Sequence, residues 1–123
     1  MAEYIVADIG LNFKLAFEID FVSKIFHSFD SMFEQVAQNS FDLLKIFGSE
    51  RDKVSFLAVV ILKDGSSFLV KNCNFENFSK KKVFPLLPSF FEAEKVWARA
   101  VILNGNEIVF VVEPSGLAKV CNG

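Results

Sequence analysis

Residues 21–47, FVSKIFHSFDSMFEQVAQNSFDLLKIF, set the architecture to expect. Stepped at 100° per residue, Phe21, Val22, Ile25, Phe26, Phe29, Met32, Phe33, Val36, Leu43, Leu44 and Phe47 fall within an arc of roughly 140°. Asp30, Glu34, Gln35, Gln38, Asp42 and Lys45 lie outside it. Asp20 is placed to cap the start and Gly48 to close the end. This constant phase predicts one amphipathic helix over 21–47, about 27 residues and about 40 Å long. Ser31 and Glu34 have the spacing of a capping box, which offers a second helix start after a break. Phe41 and Ile46 fall off the stripe and Ser40 sits on it, so a kink or an interface belongs there.

Strand patterns flank this segment on both sides. Ile5, Ala7, Ile9, Leu11, Phe13, Leu15, Phe17 and Ile19 share one parity, while Asp8, Asn12, Lys14 and Glu18 hold the other. Parity unbroken across Gly10 implies one long strand bent there, or a hairpin with an odd-length loop. Beyond the helix, Val54 to Leu62 is nearly all apolar, as in a central strand. Lys63-Asp64-Gly65-Ser66 then reads as a tight turn before Ser67 to Asn72. A two-residue Asp64-Gly65 loop sets Ile61 against Phe68 and Val59 against Val70. The same logic folds Val96–Leu103 onto Glu107–Val112 through Asn104-Gly105, with Val101 against Ile108 and Trp97 against Val112. Pro114 stops that strand.

Residues 74–93 fit neither period. They hold Phe75, Phe78, Phe84, Phe90 and Phe91, the run Lys80-Lys81-Lys82, and Pro85 and Pro88. Ser89 and Glu92 could cap a turn or two of helix. A long irregular connection is expected here, and such segments are usually functional or poorly ordered. Residues 115–123 read as a flexible tail. The whole is expected to be one α+β domain over 1–114: a long amphipathic helix packed on a curled antiparallel sheet of four to five strands. In element order this resembles the cystatin-like architecture, and more loosely the hot-dog folds. Cystatin-like protease inhibition implies a Gln-x-Val-x-Gly loop in the first hairpin and a Pro-Trp pair in the second. The turns here are Lys63-Asp64-Gly65-Ser66 and Asn104-Gly105, so that activity does not carry over.

Composition narrows the function. The chain of 123 residues is 52% apolar, with net charge −2, sixteen Phe and one His. Neither a nucleic-acid mimic nor a strongly basic nucleic-acid binder has this balance. Asp8 interrupts any apolar leader, and the longest apolar run, Phe56 to Leu62, is far short of the roughly 18 residues that cross a bilayer. A cytoplasmic protein is expected. Cys73 and Cys121 read as a buried thiol and a tail thiol. His27 lies off the stripe without an orienting partner, and no His/Cys spacing suits zinc. The carboxylate pairs Asp8/Glu18, Glu50/Asp52 and Glu92/Glu94 fit solvated turns and wet strand faces. No catalytic residue, metal or cofactor is assigned.

What remains is a surface for binding. One helix on one curled sheet holds roughly ten large side chains, so sixteen Phe leave rings outside, and contiguous exposed apolar area marks an interface. A two-fold homodimer is the simplest outcome. The contact residues expected for a protein partner are Phe75, Phe78, Lys80, Lys81, Lys82 and Phe84, followed by Trp97 and Arg99. Arg99, on an apolar strand, is expected to reach the rim or pair with Glu113 or Glu107. The resulting reading is a small non-enzymatic regulator, inhibitor or adaptor, of the kind mobile elements also carry. Two alternatives use the same residues differently. A lipid or small-molecule carrier, or an enzyme built on one, would use Asn39, Ser40 and Arg99 as polar groups in a helix–sheet pocket. A nucleic-acid binder would use the lysine run beside its aromatic rings.

Overall fold

A computed structural model describes residues 2–48, 57–86 and 96–122. The expectations for Val54 to Phe56, for Glu50 and Asp52, and for Pro88 to Glu94 lie outside these residues. Among the described residues ten strands form two mixed sheets. In chain order they are β1 (Ala2–Asp8), β2 (Phe13–Glu18), β3 (Val22–His27), β4 (Phe41–Asp42), β5 (Ala58–Leu62), β6 (Ser67–Val70), β7 (Asn72–Phe78), β8 (Val83–Pro85), β9 (Ala98–Asn104) and β10 (Glu107–Val112). Among the described residues three short helices accompany them: α1 (Phe33–Gln38), α2 (Leu43–Ile46) and α3 (Pro114–Asn122). The six-stranded sheet runs β7-β1-β2-β10-β9-β8 and the four-stranded sheet β3-β5-β6-β4. Pairs are antiparallel except β2 with β10 and β4 with β6.

The long helix over 21–47 is therefore not formed, and the α+β class with a helix on one curled antiparallel sheet is corrected to a mostly β fold. The cause is local. A register shift between Val22 and Lys24 inserts an extra residue in β3. A bulge of this kind turns an alternation of two into a spacing of three. Val22 and Ile25 thus both pack toward the core between the sheets, while Phe26 packs on the opposite face. A bulged strand here imitates a helical stripe. True helix appears only where strong helix formers cluster, at Glu34, Gln35, Ala37 and Gln38 and again at Leu43, Leu44 and Lys45. Asn39 ends α1, its Nδ2 donating to the Gln35 carbonyl at 3.0 Å, and Asp42 Oδ1 accepts from the Lys45 N–H to start α2. The break falls at Ser40-Phe41, where the stripe also faltered.

Turn geometry sets the registers. β1 and β2 pair Asp8 with Lys14, which leaves a five-residue connection and preserves parity, the odd-loop form of the two readings. The first β5–β6 pair closes with Leu62 N–H donating to the Ser66 carbonyl, enclosing three residues with Gly65 at φ 91°. Ile61 therefore opposes Ser67 and Val59 opposes Leu69, one step from the two-residue expectation. In the second hairpin Gly105 (φ 63°) and Asn106 form the loop, so Val101 opposes Phe110 and Val112 opposes Ala98. A glycine of positive φ at the first loop position, followed by a residue of negative φ, suits a type II′ connection.

Residues 74–78 and 83–85, expected to be irregular, are ladder. β7 pairs along its whole length with β1, and β8 pairs with β9. The two outer strands of the six-stranded sheet are joined by residues 79–82 alone, which span at most about 17 Å. Flat, the sheet would hold those edges about 24 Å apart. It must curl, and its inner face becomes a core of its own: Tyr4, Val6, Ala16, Phe78, Ile102 and Val109, with Val83 against them. The main core lies between the sheets, around Ile5, Leu15, Phe17, Leu44, Val60 and Phe68. A third sits under α1, where Phe33 covers Val59 and Leu69.

The stretch expected to be a loose tail is instead α3, with Leu117 fully buried in the main core. Pro114 both ends the strand and opens the helix, as its fixed φ allows. Cys121 packs on the same core while Cys73 is buried on β7. Burial pushes both thiols from 9.0 up to about 11. Iodoacetamide at pH 8 should therefore label both about 100-fold more slowly in the folded protein than in urea, because only the thiolate reacts. Time-resolved intact mass checks this. The fold favours the neutral thiols, so their contribution to stability is complete below pH 9 and is lost as the pH rises through about 11.

Candidate functional site

The β9–β10 hairpin is apolar on both parities, and its two faces meet different fates. Ala100, Ile102, Val109 and Val111 point into the curled core. Val101, Leu103, Ile108 and Phe110 occupy the outer face. Register aligns them in two rows across the strands: Phe84, Val101, Phe110 and Leu15 in one, Leu103, Ile108 and Phe13 in the other. Leu15 is sealed by the main core. Toward the outer strand the rows open: Phe84 and Leu103 are each 47% exposed and Ile108 42%. Leu11, on the neighbouring connection, is exposed as well.

At the covered end of this face stands a closed ring of four aromatic side chains. Phe13 meets Phe47 at 6.1 Å, Phe47 meets Trp97 at 5.3 Å, Trp97 meets Phe110 at 5.5 Å, and Phe110 meets Phe13 at 5.3 Å. All four contacts are edge-to-face, which suits the ring quadrupoles. Each ring is half-buried, and the box joins β2, β10, the entry to β9 and the exit of α2.

A basic rim borders the face. Lys80, Lys81 and Lys82 form one 3-10 turn, started by the Lys81 N–H donating to the Ser79 hydroxyl at 3.3 Å. Lys82 Nζ donates to Asn104 Oδ1 at 2.7 Å, which fixes the turn beside the end of β9 and Leu103. On the opposite, curled face of the sheet Lys14 Nζ lies 3.6 Å from Glu107 Oε1. That oxygen is covered from solvent and has no hydrogen bond, so the lysine charge is its compensation.

The expected contact residues divide among four places. Phe84 lies on this face, Lys80 to Lys82 form the turn leading into its strand, and Trp97 belongs to the aromatic ring. Phe75 is half exposed on β7, at the opposite edge of the sheet. Phe78 is buried against Tyr4, rings 6.0 Å apart, and offers nothing to a partner. Arg99 is the extra residue of a bulge, since Ala100 pairs with Val111 and Ala98 with Val112. Its guanidinium pairs with Glu18, neither Glu113 nor Glu107, and lies 5.6 Å from the Phe21 ring centroid. Burial raises the Tyr4 phenol above its ordinary range, with Glu18 adding to the shift and Arg99 opposing it.

Phe21 separates two clefts. One, of about 250 Å³, is lined by Phe21, Leu62, Lys63, Asp64 and Pro114; the other, of about 390 Å³, is polar and lined by Glu3, Glu18 and Asp20. The carrier's polar trio is not assembled at either. Asn39 caps α1, Ser40 Oγ donates to the Val36 carbonyl and lies 2.8 Å from Ser67 Oγ, and Arg99 is at Glu18. His27 stacks on Phe29 at 5.4 Å. Among the described residues no group of three His, Cys, Asp or Glu could hold a metal, and no helix is long and apolar enough to cross a membrane.

Leu103, Ile108, Val101, Phe110 and Phe13 were missed as site residues by sequence reasoning. Their signal was present: a hairpin apolar on both parities must either be covered twice or show one face.

No protein-family model matches the chain, and no curated protein is similar to it in sequence. Among solved structures it is similar to the scaffolding protein TtCheW from Thermoanaerobacter tengcongensis, with 15% identity and a TM-score of 0.58 over 92% of this chain and 90% of that one. At that identity the likeness is one of fold, and the two chains share a fold nearly end to end.

Proposed function

We propose that this protein is a non-enzymatic docking module, an adaptor or scaffold, that binds a protein partner through the outer face of β8, β9 and β10. The observation that carries the reading is the half-exposed group Phe84, Leu103 and Ile108 on the outer sheet face, beside an aromatic box. Interface centres are apolar and aromatic with a charged rim, and this face has that anatomy. The rim is basic at Lys80 to Lys82, so the fitting partner segment is an apolar stripe flanked by acidic residues. Likeness in fold to a scaffolding protein supports the class of role.

A displayed library of amphipathic peptides with acidic flanks is the direct test. Binders should be recovered, and Leu103→Asp or Ile108→Asp should weaken them at least about tenfold, a cost of about 1.4 kcal/mol. Both positions are open to solvent, so thermal stability should change by no more than about 0.5 kcal/mol. Reversing Lys80 to Lys82 to glutamate should slow association and flatten its salt dependence. Peptides that bind the Leu103→Asp variant as well as the parent would overturn the assignment. So would retention of single-stranded oligonucleotides by the lysine run in place of peptides.

A further inference from the structure

The two sheets have four outer strands, and three of them are guarded. β8 is three residues long and ends at Pro85, and β4 is two residues long. β3 is interrupted by its bulge and carries Lys24 beside it. Short edges, prolines, bulges and lysines are the usual means of blocking strand addition. β7 has none of them. It runs seven residues, Asn72–Phe78, in unbroken register with β1, its sole ladder partner among the described residues. Within it lie no proline, no glycine and no lysine.

Its sequence is also compatible with itself. Place a two-fold axis at the middle residue, Phe75, and two copies overlap over the full strand in antiparallel register. Asn72 then opposes Phe78 of the second copy, Cys73 opposes Asn77, and Asn74 opposes Glu76. The strand's one charge meets an amide and never its own copy. The half-exposed Phe75 meets its counterpart on the axis, as a cross-strand aromatic pair. Shifting the axis to Glu76 would set carboxylate against carboxylate. We infer that β7 is a homodimer edge, joining two six-stranded sheets into one across a two-fold axis at Phe75. β7 and β8 are different outer strands of the sheet, so this edge is distinct from the β8–β9–β10 face.

Sedimentation equilibrium across the micromolar range should show a monomer–dimer equilibrium. Phe75→Lys sets two ammonium groups on the axis and should weaken the dimer about tenfold or more. It leaves the melting temperature of the monomer unchanged, because the side chain is half in solvent. Phe75→Cys should crosslink under mild oxidation, since residues facing each other across a two-fold lie within disulfide reach. Glu76→Cys, displaced two residues from its own copy, should not. A monomeric wild type overturns the inference, as does a dimer that survives Phe75→Lys without crosslinking through Phe75→Cys. A dimer lost through Leu103→Asp instead would place the second copy on the other face and overturn this one alone.

Discussion

Gly116→Ala should lower the free energy of unfolding by about 3 kcal/mol or more. Helix propensity argues for the opposite sign: alanine inside a helix is favoured over glycine by about 1 kcal/mol. Packing decides against it. A Cβ at position 116 would lie 1.5 Å from the Val96 carbonyl oxygen, 2.5 Å from its carbon and 3.2 Å from the Trp97 Cα. These are backbone atoms of the segment entering β9, and Trp97 is one wall of the aromatic box. Neither α3 nor that segment can yield by a side-chain rotation. The helix would have to lift, drawing Leu117 out of the main core where it is fully buried. Urea unfolding measures the loss, and a shift in tryptophan emission should accompany it as the Trp97 surroundings open. An alanine variant as stable as the parent would mean that α3 does not dock where the structure has it.

Phe17→Ala and Phe68→Ala should each lose about 3 to 5 kcal/mol. Phe17 comes from β2 and Phe68 from β6, so this contact, with ring centroids 5.7 Å apart, bolts one sheet to the other. Both rings are essentially inaccessible, at 1% and 0%. Against the 5 to 15 kcal/mol typical of a domain, the double variant should be largely unfolded at room temperature. A double-mutant cycle on milder Leu replacements should give a coupling of about 0.5 to 1.5 kcal/mol. Strict additivity would separate the two rings and with them the two sheets. Phe29→Ala is the control: at 81% exposed it should cost no more than about 0.5 kcal/mol.

The same contrast explains the abundance of phenylalanine. Counted against one helix on one curled sheet, sixteen rings leave a large excess. Two sheets with three separate cores absorb many more. Phe17 and Phe68 lie between the sheets, Phe33 lies under α1 and Phe78 lies inside the curl. Among the described residues, those left exposed are dispersed: Phe21 and Phe29 at turns, Phe75 and Phe84 on the two outer strands of the larger sheet. The interface argument therefore rests on where exposed side chains adjoin, as Phe84, Leu103 and Ile108 do, and no longer on the number of rings.

Much of the local structure was legible in the residues themselves. Alternation in 5–19 marked strand, its unbroken parity left a choice between a bend at Gly10 and an odd loop, and Gly65 and Gly105 marked the turns of two hairpins. These features depend on neighbouring residues, through steric limits on φ and the two-fold alternation of side chains. The helix over 21–47 failed because hydrophobic spacing reports which residues are buried and not against what. With one residue inserted at the β3 bulge, Val22 and Ile25 take a spacing that helix and strand share. Only the tertiary structure decided that ambiguity, because β5 was present to pair with β3. It likewise decided the parallel pairings of β2 with β10 and β4 with β6, the docking of α3 on the Val96 carbonyl, and which face of the second hairpin meets solvent. Each of those depends on chain segments far apart in sequence competing for the same surface, and that competition is settled by total burial and backbone pairing, which no window of adjacent residues contains.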